Sequence, residues 1–203
     1  MKNLIAGIDV AYYKINEQEY GICVIDIFDF DNFELIERQT AIKKIEFPYI
    51  HGQLAKRELP IVLETYNKTN NKASIYLLDG NGYLHPTHNG IATVFSNYTG
   101  EKSIGVAKNY YNFSGVTYDL KNEKFSTAPI IINNEIYGYA LRSRENSKPI
   151  FVSQGKGISL SESLEVVKSC ITDESRIPIP TRFADIDTRK ERKLILEKKE
   201  KRS

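Results

Sequence analysis

Two aspartates stand in or directly after short apolar runs of this chain, where a carboxylate is chemically unusual. Asp9 interrupts the run Leu4–Val10, and Asp79 follows Ile75–Leu78, which shows no alternation of polar and apolar residues. Such a run is typical of a strand that is buried on both faces. A carboxylate buried there costs free energy unless a cation or hydrogen-bond donors compensate it. The pattern indicates that Asp9 and Asp79 share a divalent ion, and oxygen ligands favour Mg²⁺ or Mn²⁺ over zinc.

The segment Asp79–Gly82 also has a simpler interpretation as a turn. Its sequence, Asp-Gly-Asn-Gly, contains two strong hairpin signals, so these four residues alone predict a hairpin turn equally well. The residues that follow do not resemble a returning strand, because Asn89–Phe95 has the pattern of a helix start. A strand, a glycine-rich loop and a helix together form an α/β unit. Asp79 would then lie at the carboxyl end of its strand, where open α/β sheets bind their ligands.

The elements that must position these residues follow a simple order along the first half of the chain. We predict strands at Leu4–Val10, Tyr20–Phe28 and Glu34–Lys43, a helix at about Ala55–Tyr66, a strand at 75–79, a helix at about 89–98 and a strand at Ser103–Ala107. Three antiparallel strands followed by β-α units are the ribonuclease H-like plan. The predicted fold class is therefore α/β, with a ribonuclease H-like mixed sheet, an antiparallel three-strand start and helices on both faces.

The second half of the chain continues with shorter elements. We predict a hairpin of Ala128–Asn133 and Glu135–Arg142, a strand at Pro149–Ser153 and a helix opened by the capping box Ser159-Leu-Ser-Glu162. Two prolines, Pro178 and Pro180, are expected to end regular structure after Arg176. We predict a single domain over residues 1–188 and a basic tail over residues 189–203.

Composition and charge limit the functions that are open to this chain. Its 203 residues are 41% hydrophobic and 27% charged, as expected for one globular domain. There is no transmembrane run and no signal peptide, so we expect a cytoplasmic protein without membrane partners. The tail holds eight basic and three acidic residues and therefore has a net charge of +5. Since the whole chain has a net charge of +2, residues 1–188 have a net charge of −3. Nucleic-acid binding would therefore require a local basic patch combined with shape and stacking.

Six short motifs resemble those of the endonuclease V family, the deoxyinosine-directed nucleases. They occur in the family's order between about residues 4 and 190: Gly7-Ile-Asp9-Val10, Pro48-Tyr49-Ile50-His51-Gly52, Lys56-Arg57-Glu58, Asp79-Gly80-Asn81-Gly82 with His85-Pro86, Gly105-Val-Ala-Lys108 and Pro180-Thr-Arg182-Phe-Ala-Asp185. The resemblance implies a metal-dependent endonuclease that recognises deoxyinosine in DNA. It further implies hydrolysis of the second phosphodiester bond on the 3′ side of the lesion, in DNA repair.

The resemblance also implies roles for individual catalytic residues. Asp9 and Asp79 would be the primary metal ligands, Glu58 the third carboxylate, and Lys108 a cation near the scissile phosphate. The implied cofactor is Mg²⁺, for which Mn²⁺ can substitute. Divalent ions activate a water as nucleophile and stabilise the leaving oxyanion. We therefore expect these residues to converge on one cation.

Substrate recognition would centre on a tyrosine-tipped loop. Tyr49 lies in a loop bounded by Pro48 and Gly52, from which an aromatic ring can enter a base stack. The predicted substrate-binding residues are Tyr49, Gly52, Leu54, Gly80, Asn81, Gly82, His85 and Ile91. The expected partner is inosine-containing DNA, with RNA as an alternative, and no obligate protein partner is evident.

Three departures from the family pattern leave alternative functions open. His51 replaces the second proline of the Tyr49 loop, and Asn81 replaces a histidine. Gln154–Gly157 stands where many members have Gly-His, so Lys156 is a candidate substitute for that histidine in a one-metal site. These changes, with a chain that begins at the first predicted strand, allow a catalytically weakened protein that binds inosine-containing nucleic acid.

Two further nucleases share the predicted acids. An inosine-specific ribonuclease would use the same residues on RNA. A ribonuclease H-like nuclease for junctions or hybrids would not explain the segment Pro48–Gly52, so we rank it last.

Overall fold

The computed structural model describes residues 3–200, which are built around an eight-stranded sheet. The strands are β1 (Leu4–Ile15), β2 (Gln18–Asp29), β3 (Leu35–Lys44), β4 (Ile75–Leu78), β5 (Ser103–Ala107), β6 (Thr127–Ile132), β7 (Glu135–Leu141) and β8 (Ile150–Gln154). Their order across the sheet is β3-β2-β1-β4-β5-β8-β7-β6. Strands β1, β4 and β5 run parallel, and the other neighbours are antiparallel. This mixed sheet with an antiparallel start confirms the predicted fold class.

The first hairpin is longer than the sequence predicted. Strand β1 continues to Ile15, because residues beyond Val10 keep pairing with β2 as far as Gln18. The connecting residues Asn16 and Glu17 both have positive φ angles, 47° and 64°. Two such residues are the signature of the tight turn whose twist suits a two-residue hairpin. The same geometry recurs at Asn133 and Asn134, so the predicted second hairpin is also confirmed.

Four helices cover the two faces of the sheet. Helices α1 (Leu54–Asn67) and α2 (Ile91–Thr99) pack on one face, against side chains such as Ile8 and Ile25. Helix α3 (Leu160–Ser169), which begins with the predicted capping box, packs on the other face against residues such as Leu77. Helix α4 (Ile179–Glu200) lies along β1 and β2 on that second face. Alternate residues of the central strands therefore serve two separate apolar layers.

The prediction that Pro178 and Pro180 end regular structure is wrong, because they introduce α4. Pro180 lies in the first helical turn, where the amide hydrogen that proline lacks would have no intrahelical acceptor. The carbonyl of Pro178 accepts a hydrogen bond from the Arg182 amide at 2.9 Å. The predicted basic tail, residues 189–203, is the continuation of this helix as far as Glu200, and residues 201–203 lie outside the described part of the chain.

Helix α4 is held close against the sheet. A Cβ atom added at Gly7 of β1 would lie only 2.0 Å from the carbonyl oxygen of Pro180, so only glycine allows this approach. Arg38 on β3 adds a polar link by pairing with buried Asp26 on β2 and with Asp187 on α4. The close approach of Pro180 to Gly7 and the Arg38–Asp187 ion pair together fix the position of α4 on the sheet. Among residues 3–200, no helix is long and apolar enough to span a membrane.

Candidate active site

Asp9 and Asp79 lie side by side because of the register between two parallel strands. Ile8 of β1 pairs with Leu78, the last residue of β4, and the Asp79 amide donates to the Ile8 carbonyl at 3.1 Å. The next residue of each strand is therefore an aspartate at the same level of the sheet. The turn interpretation of Asp79–Gly82 is not what the fold adopts, since the chain proceeds from β4 through a loop into α2.

A third aspartate, Asp185, completes the cluster from α4. Asp9, Asp79 and Asp185 each offer a carboxylate oxygen, and these oxygens all lie within 4.8 Å of one another. One helical turn later, the buried Thr188 hydroxyl donates to Asp9 Oδ2 at 2.6 Å. Sequence reasoning did not assign a role to Asp185, although it lies in the last of the six motifs. Ending regular structure at the prolines hid the helix that carries this carboxylate to the sheet.

Asp9 and Asp79 line a cavity that we call the carboxylate cavity. Glu58 lines the same cavity but reaches it from the opposite side of β1. It lines this cavity together with Asp9, Asp79 and Lys108, but it is not one of the three clustered carboxylates. The reason is the alternation of β1: Asp9 contacts Thr188 on the α4 side, whereas Tyr12 donates to Glu58 Oε1 on the α1 side at 2.5 Å. Its predicted role as a metal ligand stays a prediction.

Burial makes a full set of negative charges unfavourable in this cavity. Burial and the neighbouring Asp79 raise the pKa of Asp9 to about 7, although the Thr188 hydrogen bond acts in the opposite direction. Burial, with smaller effects of Asp9 and Asp79, raises the pKa of Glu58 to about 8 against the Tyr12 hydrogen bond. A cation at this site would relieve both penalties. The donor set therefore fits a divalent ion that prefers oxygen ligands.

Lys108 supplies a positive charge at the edge of the carboxylate cluster. It directly follows β5, and its Nζ lies 2.5 Å from Asp79 Oδ2 and 3.3 Å from Asp185 Oδ1. Burial lowers the pKa of this ammonium, but the hydrogen bond to Asp79 and the attraction of Asp79, Asp9 and Asp185 together outweigh burial, and the net pKa is raised. Lys108 is thus protonated at neutral pH. Its position agrees with the predicted location beside the reacting groups, while its catalytic role stays a prediction.

A second, smaller cavity lies behind the Tyr49 loop. Its volume is about 140 Å³, and it is lined by Tyr49, Ile50, His51, Gly52, Leu54, Ala55, Asn81, His85, Asn89, Gly90, Ile91 and Tyr111. Six of the eight predicted substrate-binding residues are among them. Pockets for drug-sized ligands measure roughly 300–1,000 Å³, so this one suits a much smaller group. Tyr49 itself is 69% exposed and projects from the surface at the rim.

Neighbouring rings and hydrogen bonds hold the Tyr49 loop. His85 Nε2 contacts the Gly52 carbonyl at 2.9 Å, and the Thr87 amide donates to His85 Nδ1 at 3.3 Å. Since Nδ1 accepts this hydrogen bond, Nε2 carries the hydrogen that is donated to Gly52. Burial lowers the pKa of His85, which favours this neutral form. Tyr111 stacks on His51 with ring centroids 4.9 Å apart, so His51 gains a packing contact at the position where the family has proline.

Gly80 and Gly82, two of the predicted substrate-binding residues, lie in different surroundings within the loop between β4 and α2. Gly80 lines the carboxylate cavity, whereas Gly82 lines neither cavity. A Cβ atom at Gly82 would lie 2.3 Å from the Gln154 carbonyl oxygen, and the Gly82 amide donates to Ser153 Oγ at 2.9 Å. Gly82 is therefore required for packing the loop onto β8. The predicted role of Gly82 in substrate binding stays a prediction.

Lys156 lies far from the carboxylate cluster along the sheet. The Ser103 amide donates to its carbonyl at 3.4 Å, and Gln154 pairs with Ile104. These contacts place Lys156 at the amino-terminal end of β5, whereas Lys108 follows the carboxyl-terminal end of that strand. The interpretation of Lys156 as a substitute for a histidine near the metal is therefore wrong. The residue that joins Asp9 and Asp79 in the cluster is instead Asp185, which had not been assigned a role from the sequence.

A carboxylate cluster formed by the first strand, the adjacent parallel strand and a helix on the sheet defines the ribonuclease H-like class of nucleases. Comparison with known proteins identifies the family. A family model for endonuclease V matches residues 1–186. The endonuclease V of Bacillus thuringiensis subsp. konkukian is 47% identical over 194 residues, which cover 95% of this chain and 83% of that protein. The chain belongs to the endonuclease V family, and it is an endonuclease.

Solved structures of the family agree with this fold. The crystal structure of endonuclease V from Bacillus subtilis has a TM-score of 0.94 and 40% sequence identity, covering 97% of this chain and 83% of that one. The endonuclease V of Ciona intestinalis, crystallised with a 24mer DNA containing an inosine followed by a ribo-adenosine, has a TM-score of 0.80 and 27% identity. That alignment covers 96% of this chain and 87% of the Ciona chain.

Proposed function

We propose that this protein is a metal-dependent endonuclease that recognises deoxyinosine, the deamination product of deoxyadenosine, in DNA. It hydrolyses the second phosphodiester bond on the 3′ side of the lesion and thereby starts repair. The observation that carries this proposal is the contact between the two cavities: both are lined by Tyr49, His51, Leu54, Asn81 and Tyr111. A base held in the smaller cavity keeps its own strand next to the carboxylates.

The three clustered aspartates, Asp9, Asp79 and Asp185, would hold the metal ion. Three carboxylate oxygens within 4.8 Å of one another suit Mg²⁺, and Mn²⁺ can replace it. When bound, a divalent ion activates a water and stabilises the leaving oxyanion. Lys108 offers its ammonium to the phosphate at the edge of this cluster. Glu58, held by Tyr12, adds a carboxylate from the α1 side that can orient a water.

Recognition uses the exposed ring of Tyr49 and the cavity behind it. Extruding a base costs a few kcal/mol and least for a weakly paired one, while stacking on an aromatic ring contributes roughly 1–3 kcal/mol per base. Weakly paired hypoxanthine is therefore favoured over the normal bases. Asn81 adds a chemical criterion, since its buried Oδ1 has no hydrogen-bond partner among residues 3–200. Hypoxanthine carries a hydrogen on N1 that can be donated to this oxygen, whereas N1 of adenine is an acceptor.

The proposal is tested by cleavage of matched oligonucleotides that differ only in one inosine or adenosine. We expect the inosine strand to be cut in the presence of Mg²⁺ and to remain intact in the presence of a chelator. The cut should lie at the second phosphodiester bond on the 3′ side of the inosine. Asp79→Asn should abolish the reaction. Asp173→Asn is the matched control, because Asp173 is an exposed aspartate paired with Lys124. Equal cutting of both strands, or cutting that survives Asp79→Asn, would contradict the proposal.

One alternative substrate has a specific observation in its favour. The Ciona relative was crystallised with a ribo-adenosine following the inosine. The same assay with an inosine-containing RNA strand measures whether this protein also cleaves RNA. Higher kcat/KM on RNA than on DNA would change the substrate assignment while leaving the site unchanged. We also propose that the protein is cytoplasmic, which cell fractionation tests.

A further inference from the structure

A third cavity lies between the end of β3 and the first turns of α1, and basic side chains dominate it. Its volume is about 270 Å³, and its charged lining consists of Lys43, Lys44, Lys56 and Arg57, with Glu46 as the acidic residue. We call it the basic pocket. The three lysines are exposed to solvent. A local positive patch of this kind is what nucleic-acid binding requires in a chain whose residues 1–188 carry a net charge of −3.

Two of these four cations form ion pairs within the protein, and a third, Lys56, has its Nζ 5.8 Å from the centroid of the Phe47 ring. The Arg57 guanidinium donates to the Phe47 carbonyl at 2.8 Å and pairs with Glu19 at 2.5 Å. Lys43 pairs with Glu64 at 3.0 Å. By contrast, neither Lys44 nor Lys56 forms an ion pair with a carboxylate within the described residues 3–200. The basic pocket therefore presents two uncompensated ammonium groups on a scaffold that Arg57 holds in place.

The position of this pocket relative to the Tyr49 loop decides what it can bind. Phe47 lines the basic pocket, whereas Tyr49, two residues further on, lines the carboxylate cavity. The segment from Phe47 to Tyr49 thus separates the basic pocket from the carboxylate cavity. Along α1, Arg57 faces the basic pocket and its neighbour Glu58 faces the carboxylate cavity. An aromatic residue that enters a duplex between these two sites has one strand on each side.

We propose that the basic pocket binds backbone phosphates of the strand opposite the inosine in duplex DNA. This inference rests on the proposed function, in which the inosine strand occupies the carboxylate side. Lys44 and Lys56 would each neutralise a phosphate without reading sequence. The pocket then adds affinity for duplex substrate and contributes nothing to an isolated inosine strand. Tyr49 accordingly acts at the boundary between the two strands.

The experiment compares the variant Lys44→Gln/Lys56→Gln with the wild-type protein. Binding to an inosine-containing duplex and to its isolated inosine strand is measured in a chelator, at several salt concentrations, by fluorescence anisotropy. Each phosphate contact contributes about one unit to the slope of log K against log salt. We expect the slope for the duplex to become shallower by about 2 in the double variant, from the same contribution per contact. Binding to the single strand should not change.

The matched control is Lys72→Gln/Lys102→Gln, which removes the same charge at the amino-terminal ends of β4 and β5. The control should leave the duplex slope unchanged. An unchanged duplex slope in Lys44→Gln/Lys56→Gln, or an equal loss on the single strand, would overturn the inference. Cleavage of the inosine strand separates the two proposals: if the wild type cuts it and the duplex slope does not move, only this inference fails. If the wild type does not cut it, the proposed function fails.

Discussion

At the scale of single residues, the site depends on carboxylates that are far apart in the chain. Asp9 and Asp79 are adjacent because of strand register, and Asp185 joins them because one turn of α4 faces the same point. Thr188 fixes one oxygen of Asp9 by a buried hydrogen bond at 2.6 Å. Three carboxylates held this closely repel one another unless a cation lies beside them, so their arrangement indicates a cation-binding site.

Asp185→Asn tests the residue that sequence reasoning did not assign. Loss of a metal ligand or its supporting group typically lowers activity or metal affinity about 10–100-fold, and we expect at least that loss in single-turnover cleavage and in Mn²⁺ affinity. Asparagine keeps the shape but removes the negative charge that pairs with Lys108 and that would bind the metal ion. Asp173→Asn serves as control. Wild-type Mn²⁺ affinity in Asp185→Asn would remove this residue from the metal site.

Asn81→Ala tests the buried, unpartnered acceptor of a residue that lines the small cavity. A buried hydrogen bond that cannot form costs about 1–3 kcal/mol, which corresponds to a reduction of roughly 5- to 150-fold in kcat/KM for inosine. Cleavage of adenosine strands should not fall in parallel, so the discrimination between the two bases decreases. Asn97→Ala, at an exposed residue of α2 that lines neither cavity, is the control. A parallel loss on both bases would mean that Asn81 only supports the loop.

At the scale of elements, the close packing of α4 on β1 positions the third carboxylate. Gly7→Ala places a methyl group against the backbone of Pro180, which cannot move without shifting the helix. We expect a loss of roughly 1–3 kcal/mol in the free energy of unfolding, as for other overpacked sites. We also expect reduced cleavage, because Asp185 and Thr188 move with α4. Urea unfolding and single-turnover rates measure the two effects.

The control for this change is Gly115→Ala, since a Cβ atom there meets nothing within 4 Å. Its positive φ angle of 73° still strains alanine, so a cost of about 1 kcal/mol or more is expected without an effect on the active site. If Gly7→Ala cleaves inosine strands at the wild-type rate, α4 does not set the position of the metal ligands.

Glu37 on β3 makes the connection between α1 and β4 sensitive to pH. Its carboxylate accepts hydrogen bonds from the amides and side chains of Asn70 and Asn71, all at 2.8–3.2 Å. Slight burial opposes ionisation, but these bonds and one from Gln39 outweigh it and lower the pKa from 4.5 to about 2. The stabilisation by Glu37 is therefore complete above pH 4.5 and decreases as the pH falls toward 2.

Glu37→Gln should remove this pH-dependent part of the stability. We expect the variant to be less stable than the wild type at pH 7 and the difference to narrow as the pH falls below 4.5, measured by urea unfolding. Glu145→Gln, at an exposed glutamate, should show no such convergence. A difference that stays constant from pH 7 to pH 3 would contradict the assigned hydrogen bonds.

At the scale of the whole molecule, the parts that local signals determine were predictable and the parts that depend on distant contacts were not. The first three strands, the second hairpin and the capping box follow from patterns within a few residues, whereas the continuation of β1 to Ile15 does not. Helix α4 was missed because the two prolines were interpreted as a stop, although proline is equally compatible with the first turn of a helix. Asp185 was not assigned a role because local sequence could not show that a carboxylate on α4 joins Asp9 and Asp79.

The most direct test of the account is a crystal of the protein with an inosine-containing strand and Mn²⁺. We expect an anomalous peak coordinated by Asp9, Asp79 and Asp185, with the inosine base in the cavity bounded by Tyr49 and Asn81. A Mn²⁺ peak away from these three carboxylates, or an inosine that remains stacked in its strand, would contradict it.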